Sequence, residues 1–265
     1  MVAKALTIAG SDSGGGAGIQ ADLKSFSAMG VFGASVLTAI TAQNTHSVTA
    51  VHPVPDDVVT AQIDAVLSDI DIHSIKIGML GTPSLVSAVA AAIKGFEGPV
   101  VLDPVMVAKS GAALLEDTAI AALTSDLLPR ADLLTPNLPE AAKLLGRAQA
   151  YTTDDVAEQA HALLALGAKA VLMKGGHATG DVCTDFLFTA STQRAFGAPR
   201  IATRNTHGTG CSYSSAIAAR LALGEPLEQS VETAHAWLHK AIQSADTLDV
   251  GTGHGPVHHF HEMWT

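Results

Sequence analysis

Short apolar runs rich in Val and Ile alternate along this chain with longer Ala- and Leu-rich segments of helical period. That alternation constrains the fold more than any other feature. The runs 5–10 (ALTIAG), 36–41 (VLTAIT), 75–79 (IKIGM), 100–105 (VVLDPV), 132–136 (DLLTP) and 170–176 (AVLMKGG) read as buried strands. Segments 19–30, 56–70, 84–95, 117–128, 155–167 and 209–224 read as helices, several closed by Gly. Strands alternating with helices predict a parallel sheet covered on both faces, an α/β class. The pair 182–189 and 193–201 predicts a late hairpin, an antiparallel edge on a mostly parallel sheet. No repeat, low-complexity tract or linker interrupts the pattern, so residues 1–265 are expected to form one domain.

With 48% hydrophobic and 15% charged residues, the chain has ample material for a core and none of the marks of disorder. Aromatics are only 4%, so that core must be aliphatic. The formal net charge of −10 argues against nucleic acid or an anionic membrane as the main partner, since both require clustered Lys and Arg. Two cysteines make no disulfide framework, which suits a reducing cytoplasm. The first residues do not read as a signal peptide, and no apolar run approaches the roughly 18 residues of a membrane span.

In an open parallel sheet, ligands occupy the crevice beyond the strand C-termini. Asp12, Gln43 and Asn44, Asp103, Asn137 and Glu140, and Lys174 all fall at or after the ends of expected strands. Any one could be a turn residue; together they mark a layer. The Gly-rich stretch 10–24 (GSDSGGGAGIQADLK) enters a helix, but it is neither a Walker A loop nor a dinucleotide fingerprint. No Gly-Lys-Ser/Thr follows, and Ile19 stands where the third Gly is needed. It is either a capped turn or a loop whose missing side chains let the backbone approach a ligand.

Residues 207–211 (HGTGC) also run into a helix. Gly208 and Gly210 permit positive φ, so successive N–H groups can converge on an anion such as a transferring phosphoryl group, assisted by the helix dipole. Asp103, Asn137 and Glu140 supply hard oxygen donors of the kind Mg²⁺ takes beside phosphates. Asp103 lies within an apolar run, where an unpaired carboxylate is costly; Glu140 also suits the first turn of a helix. Lys174 can reach a phosphate as a point charge. Cys211, at the helix start, could be an activated thiolate of a hydrolase, a proton acceptor or a packing residue. No paired base is evident for the first of these, and Cys183 has no partner at zinc-ligand spacing. Residues 256–264 (PVHHFHEMW) cluster three His at no metal-binding spacing and are expected to pack or be solvated.

The stretches 5–24, 41–45 (TAQNT), 76–80 (KIGML), 101–111 (VLDPVMVAKSG), 133–141 (LLTPNLPEA), 171–177 (VLMKGGH), 203–219 and 255–261 (GPVHHFH) together resemble the ribokinase-like superfamily. Within it they are similar to the bacterial hydroxymethylpyrimidine/phosphomethylpyrimidine kinases of thiamine biosynthesis. The resemblance runs nearly end to end. It implies a three-layer α/β/α sandwich, MgATP as phosphoryl donor, a homodimer, and two successive phosphorylations of 4-amino-5-hydroxymethyl-2-methylpyrimidine. It also implies that Gly208, Thr209 and Gly210 form an anion hole. Cys211 then stands where the superfamily's sugar kinases carry an Asp base; separately, the helix start is expected to lower its pKa toward neutrality, where a general base is effective. Asp103 and Glu140 fall on the Mg²⁺ and phosphate positions, with Asn137 near them and Lys174 on the phosphate. Gln43 matches the residue that reads the pyrimidine, and Gly10, Ala17, Asp22, Met79 and Val105 match pocket-lining positions. A pyridoxal kinase of the same superfamily, or a non-catalytic pyrimidine-binding relative, is the alternative.

Overall fold

A computed structural model describes residues 2–107, 114–177 and 180–264. Residues 108–111 of the 101–111 motif lie outside the described residues. The strands are β1 (Lys4–Asp12), β2 (Phe32–Gln43), β3 (Val48–Pro53), β4 (Ser74–Ile77), β5 (Val100–Leu102), β6 (Leu133–Leu134), β7 (Ala170–Met173), β8 (Val182–Thr189) and β9 (Gln193–Pro199). They form one nine-stranded sheet in the order β3-β2-β1-β4-β5-β6-β7-β8-β9. Strands β2 to β7 of that order run parallel; β3 at one edge and the β8–β9 hairpin at the other are antiparallel.

The helices are α1 (Gly18–Ala28), α2 (Asp56–Leu67), α3 (Pro83–Ala92), α4 (Ala119–Ala122), α5 (Leu138–Leu145), α6 (Thr153–Ala165), α7 (Thr209–Ala222) and α8 (Leu227–Gln243). Period-two alternation along the strands sends Leu102, Leu134, Val171 and Met173 into one apolar layer with α2 to α6. Val101, Leu133, Ala170 and Leu172 face the opposite layer with α1, α7 and α8. The result is the expected three-layer α/β/α sandwich with a mostly parallel sheet.

The expected helix over 117–128 is shorter than its pattern implied. Regular α-helix covers only Ala119–Ala122, followed by a wider turn over Leu123–Leu127 and a tight turn, Leu128–Arg130, that holds Pro129. Pro129 cannot donate to the preceding turn. Strand β3 and helices α5 and α8 are additions to the expected segments, α5 at the place where Glu140 suited a first turn. Among the described residues no helix is long and apolar enough to cross a membrane.

Two features of this packing position the site. Helix α7 buries a run of small residues (Ser214, Ser215, Ala216, Ala218, Ala219) together with Tyr213 and Ile217, and Ser74 Oγ donates to the Ala218 carbonyl at 2.7 Å where the helix lies against the sheet. The chain also places β2 on one side of β1 and β4 on the other, and this reversal of strand order opens a crevice at their C-terminal ends.

Candidate active site

The Gly-rich segment between β1 and α1 is organised by Asp12, which is 3% exposed. Its Oδ1 accepts the Gly14 N–H at 2.8 Å, and its Oδ2 accepts the N–H groups of Gly16 at 3.0 Å and Ala17 at 2.8 Å. His207 Nε2 stands 2.8 Å from the same Oδ2. Burial pushes the Asp12 carboxyl up, but the His207 and backbone hydrogen bonds outweigh it and hold the group below the ordinary range. The loop is therefore wound around a carboxylate and anchored to the segment that precedes α7.

Glycine is required where these two segments touch. Gly208 has φ of +74°, and a Cβ there would lie 1.8 Å from the Gly16 carbonyl oxygen. A Cβ at Gly16 would lie 2.4 Å from His207 Cδ2. These absent side chains admit one loop to the other, a role the sequence alone left undecided.

Helix α7 begins after Gly208 with Thr209, Gly210 and Cys211, and no side chain caps it. The Thr209 N–H lies 3.4 Å from the Thr206 carbonyl, and the N–H groups of Gly210 and Cys211 that follow it have no intrahelical acceptor and are available to an anion. Helices α5 and α6 are closed by capping boxes, whereas α1, α2 and α8 share with α7 the lack of a side-chain cap. A Cβ on Gly210 would lie 3.2 Å from Lys174 Nζ and 3.8 Å from Asp103 Oδ2, so the uncapped helix start faces that ion pair directly.

Lys174, at the end of β7, places Nζ 2.8 Å from Asp103 Oδ1 and 3.9 Å from Glu140 Oε2. Asp103 is 1% exposed and also accepts from Thr135 at 3.3 Å and Ser214 at 3.1 Å. Burial opposes its charge, yet Lys174 and Lys76 hold its carboxyl below the usual range. Glu140 accepts the Asn137 N–H at 2.7 Å while Asn137 Oδ1 accepts the Glu140 N–H at 2.8 Å. This capping box spends the Asn137 oxygen on the helix. Burial raises the Glu140 carboxyl to about 7; Lys174 pulls it down and Asp103 pushes it up. Lys174 lies between the two carboxylates and sits closer to Asp103, at 2.8 Å, than to Glu140, at 3.9 Å.

Two expectations are corrected. Burial is the largest influence on the Cys211 thiol; Asp22 and Asp103 add to it, and the group rises to about 11 against the pull of Lys76. The helix start does not bring it toward neutrality. Asp22, expected to line the substrate pocket, is 0% exposed and lies beneath it. Both its oxygens stand 2.9 Å from Lys76 Nζ, Thr7 Oγ donates to Oδ2 at 2.6 Å, and Ser215 Oγ donates to Oδ1 at 2.7 Å. Register explains the cluster: Thr7 and Lys76 are paired neighbours on β1 and β4, facing the layer that holds α1 and α7.

Lys76 is the residue that sequence reasoning passed over. A lone Lys in the apolar run of β4 was its signal. It is fully buried, and its ammonium stays charged because Asp22 and Asp103 outweigh the penalty of burial.

The remaining expected residues group around the loop. Gly10 is buried, with room for a Cβ only 3.1 Å from Met79 Sδ. Ala17 is half-buried. Gln43 ends β2, and Ser13 Oγ pins its backbone by donating to its carbonyl at 2.7 Å and accepting its N–H at 2.8 Å. Val105 is half-buried, its N–H on the Asp103 carbonyl at 2.8 Å. The His tail packs: His258 and His259 are buried, and His259 Nε2 stands 2.9 Å from Ser212 Oγ. Burial and nearby Lys24 push His259 down to about 3, so it is neutral.

An uncapped helix start thus faces a lysine–carboxylate pair at the C-terminal edge of a doubly covered parallel sheet. The profile of the family described as phosphomethylpyrimidine kinase matches residues 12–258. A hydroxymethylpyrimidine/phosphomethylpyrimidine kinase from Rhizobium meliloti (strain 1021) is 56% identical over 264 residues, covering 100% of this chain and 99% of the relative. Among solved structures, an ADP complex of Bacillus subtilis pyridoxal kinase superposes with a TM-score of 0.92 at 36% identity, covering 100% of both chains. A phosphomethylpyrimidine kinase from Clostridium difficile 630 gives 0.80 at 41% identity, covering 91% of this chain and 99% of that one. The chain belongs to the phosphomethylpyrimidine kinase family.

Proposed function

We propose that this kinase transfers the γ-phosphoryl group of ATP to the hydroxymethyl oxygen of 4-amino-5-hydroxymethyl-2-methylpyrimidine, and then a second phosphoryl group to the monophosphate so formed, within thiamine biosynthesis. The observation that carries the reading is the uncapped start of α7 set against Lys174 and Asp103. In each step the acceptor oxygen bonds to phosphorus, the bond to the β-phosphate oxygen breaks, and ADP leaves. The transition state is loose, so positioning and charge neutralisation dominate. The N–H groups of Gly208 to Gly210 receive the phosphoryl oxygens, Lys174 carries charge toward ATP, and Thr209 and Asn137 contact the nucleotide. Gln43 reads the pyrimidine's amine and ring nitrogen, with Gly10, Ala17, Met79 and Val105 along the pocket.

Asp103 and Glu140 would hold Mg²⁺. The donor set fits: two carboxylates suit an ion that keeps water and shares phosphate oxygens, and among the described residues no larger cluster of ligating side chains competes. Burial is what raises the Glu140 carboxyl, and a bound cation would lower it again. When bound, Mg²⁺ neutralises charge on the β- and γ-phosphates. Cys211 takes the proton of the first acceptor, an alcohol, in its thiolate form.

The continuous sheet through the chain supports a single kinase domain over residues 1–265. Strand β3, exposed over most of its length, with Val51 at 43% exposure within it and Ile40 of β2 at 51% beside it, supports a homodimer at that edge. Two free cysteines support a cytoplasmic location. Structural likeness to a pyridoxal kinase favours pyridoxal as a second acceptor to compare by kcat/KM. Lys174→Met and Mg²⁺ removal by chelator test the site. Each is expected to abolish ADP release in the presence of the pyrimidine, with Mg²⁺ alone restoring the chelated enzyme; undiminished release in either arm contradicts the assignment.

A further inference from the structure

A carboxamide offers one acceptor and one donor, and a half-turn about its terminal bond exchanges them. Which end of Gln43 faces which neighbour therefore sets the order in which it meets a ligand.

His207 Nε2 lies 2.8 Å from Asp12 Oδ2 and 3.2 Å from Gln43 Nε2. The same Asp12 oxygen accepts the N–H groups of Gly16 and Ala17, so it is an ionised acceptor. The nitrogen facing it carries a proton whether the imidazole is neutral or charged. A protonated nitrogen cannot accept from the Gln43 amide. On the other side, Thr41 Oγ lies 3.4 Å from Gln43 Oε1, and its single proton is donated to the Ser11 carbonyl at 2.8 Å. A lone pair faces Gln43 there. Both neighbours require the same arrangement, with the amide oxygen toward His207 and the nitrogen toward Thr41. Ser13 clamps the Gln43 backbone and fixes the point from which its side chain departs.

We propose that His207, held by Asp12, is a positioning residue that fixes the polarity of the Gln43 amide and so decides which heterocycle the enzyme accepts. The favoured ligand carries an exocyclic amine beside an acceptor ring nitrogen. A 4-oxo lactam carries a carbonyl beside a ring N–H, which reverses the order. The ring cannot turn over to compensate, because its hydroxymethyl group must reach the phosphoryl group. The inference rests on the reading that Gln43 contacts the pyrimidine.

The test is kcat/KM for 4-amino-5-hydroxymethyl-2-methylpyrimidine and for its 4-oxo analogue, measured on wild type, His207→Gln and Gln43→Ala. Wild type is expected to prefer the amine by at least about a hundredfold, since a site built for hydrogen bonds rejects mismatched analogues strongly. His207→Gln, whose own amide can turn either way, is expected to reduce that preference about tenfold or more even where turnover of both compounds falls. Gln43→Ala is expected to abolish it. Equal use of both compounds by wild type overturns the inference. A preference intact in His207→Gln but lost in Gln43→Ala overturns the inference and leaves the Gln43 reading standing. A preference intact in Gln43→Ala removes that reading and the inference with it. A neutron crystal structure of the wild-type protein needs no variant. Deuterium on His207 Nε2, with the Gln43 amide deuterons toward Thr41, supports the proposal; amide deuterons aimed at a bare His207 Nε2 overturn it.

Discussion

If Cys211 is the base of the first phosphorylation, its raised pKa must appear in the rate. A thiol held at about 11 is ionised to only about one part in a thousand at pH 8, and each further pH unit raises that fraction about tenfold. The single-turnover rate with the hydroxymethyl acceptor is therefore expected to rise about a hundredfold between pH 7 and pH 9. The second acceptor is a phosphate monoester, already ionised above its second pKa of about 6, so its rate should stay level over the same window. Cys211→Ala removes the slope from the first step, slows it, and changes the second little. Rapid-quench measurement of ADP formation on each acceptor separately, at saturating MgATP, resolves the two profiles. A level profile for the alcohol, the same slope in Cys211→Ala, or equal losses in both steps refutes the assignment and leaves Cys211 a packing residue.

The other consequences concern stability as well as rate. Lys76→Met strands the Asp22 carboxylate at 0% exposure and should cost about 3–5 kcal/mol in chemical denaturation. Adding Asp22→Leu should recover most of it, and equal losses in the single and double variants would contradict a paired charge. Glu140 is raised on folding from 4.5 to about 7, so the ligand-free protein gains from its protonated form below pH 4.5 and loses that gain as pH rises to 7. Glu140→Gln keeps the capping acceptor and should stabilise the ligand-free protein by on the order of 3 kcal/mol at pH 8 but not at pH 4.5, while weakening MgATP binding. No pH dependence in the difference would contradict the burial argument. Gly208→Ala should destabilise by several kcal/mol and abolish activity through its clash with Gly16, whereas Gly146→Ala, at φ +61° with nothing within 4 Å, should cost about 1 kcal/mol. Comparable melting shifts in the two variants would show that the loop contact is unimportant.

What the sequence made legible, and what it hid, follows from how far each signal reaches along the chain. The parallel strands announced themselves because both faces are buried, leaving short unbroken apolar runs such as 100–102 and 170–173. Strand β3 is exposed over most of its length, so no burial pattern marked it. Helix α8 carries its apolar stripe at Val231, Ala234, Leu238 and Ala241, but polar residues dilute it. The polar layer at the strand ends was legible because topology alone collects residues there. Contacts between distant segments were not. Gly16 and Gly208 meet across the whole fold, and Asp22 is drawn under the site by Lys76, which was itself visible only as one charge in an apolar run. The thiol's pKa was misjudged because the helix start was legible and the burial around Cys211 was not.

The most direct test of the account is mass-spectrometric analysis of the products formed from MgATP and 4-amino-5-hydroxymethyl-2-methylpyrimidine by the purified protein. Sequential appearance of the monophosphate and then the pyrophosphate, with one ADP released for each, is expected. Accumulation of the monophosphate with no second transfer, or no phosphorylated pyrimidine at all, would contradict it.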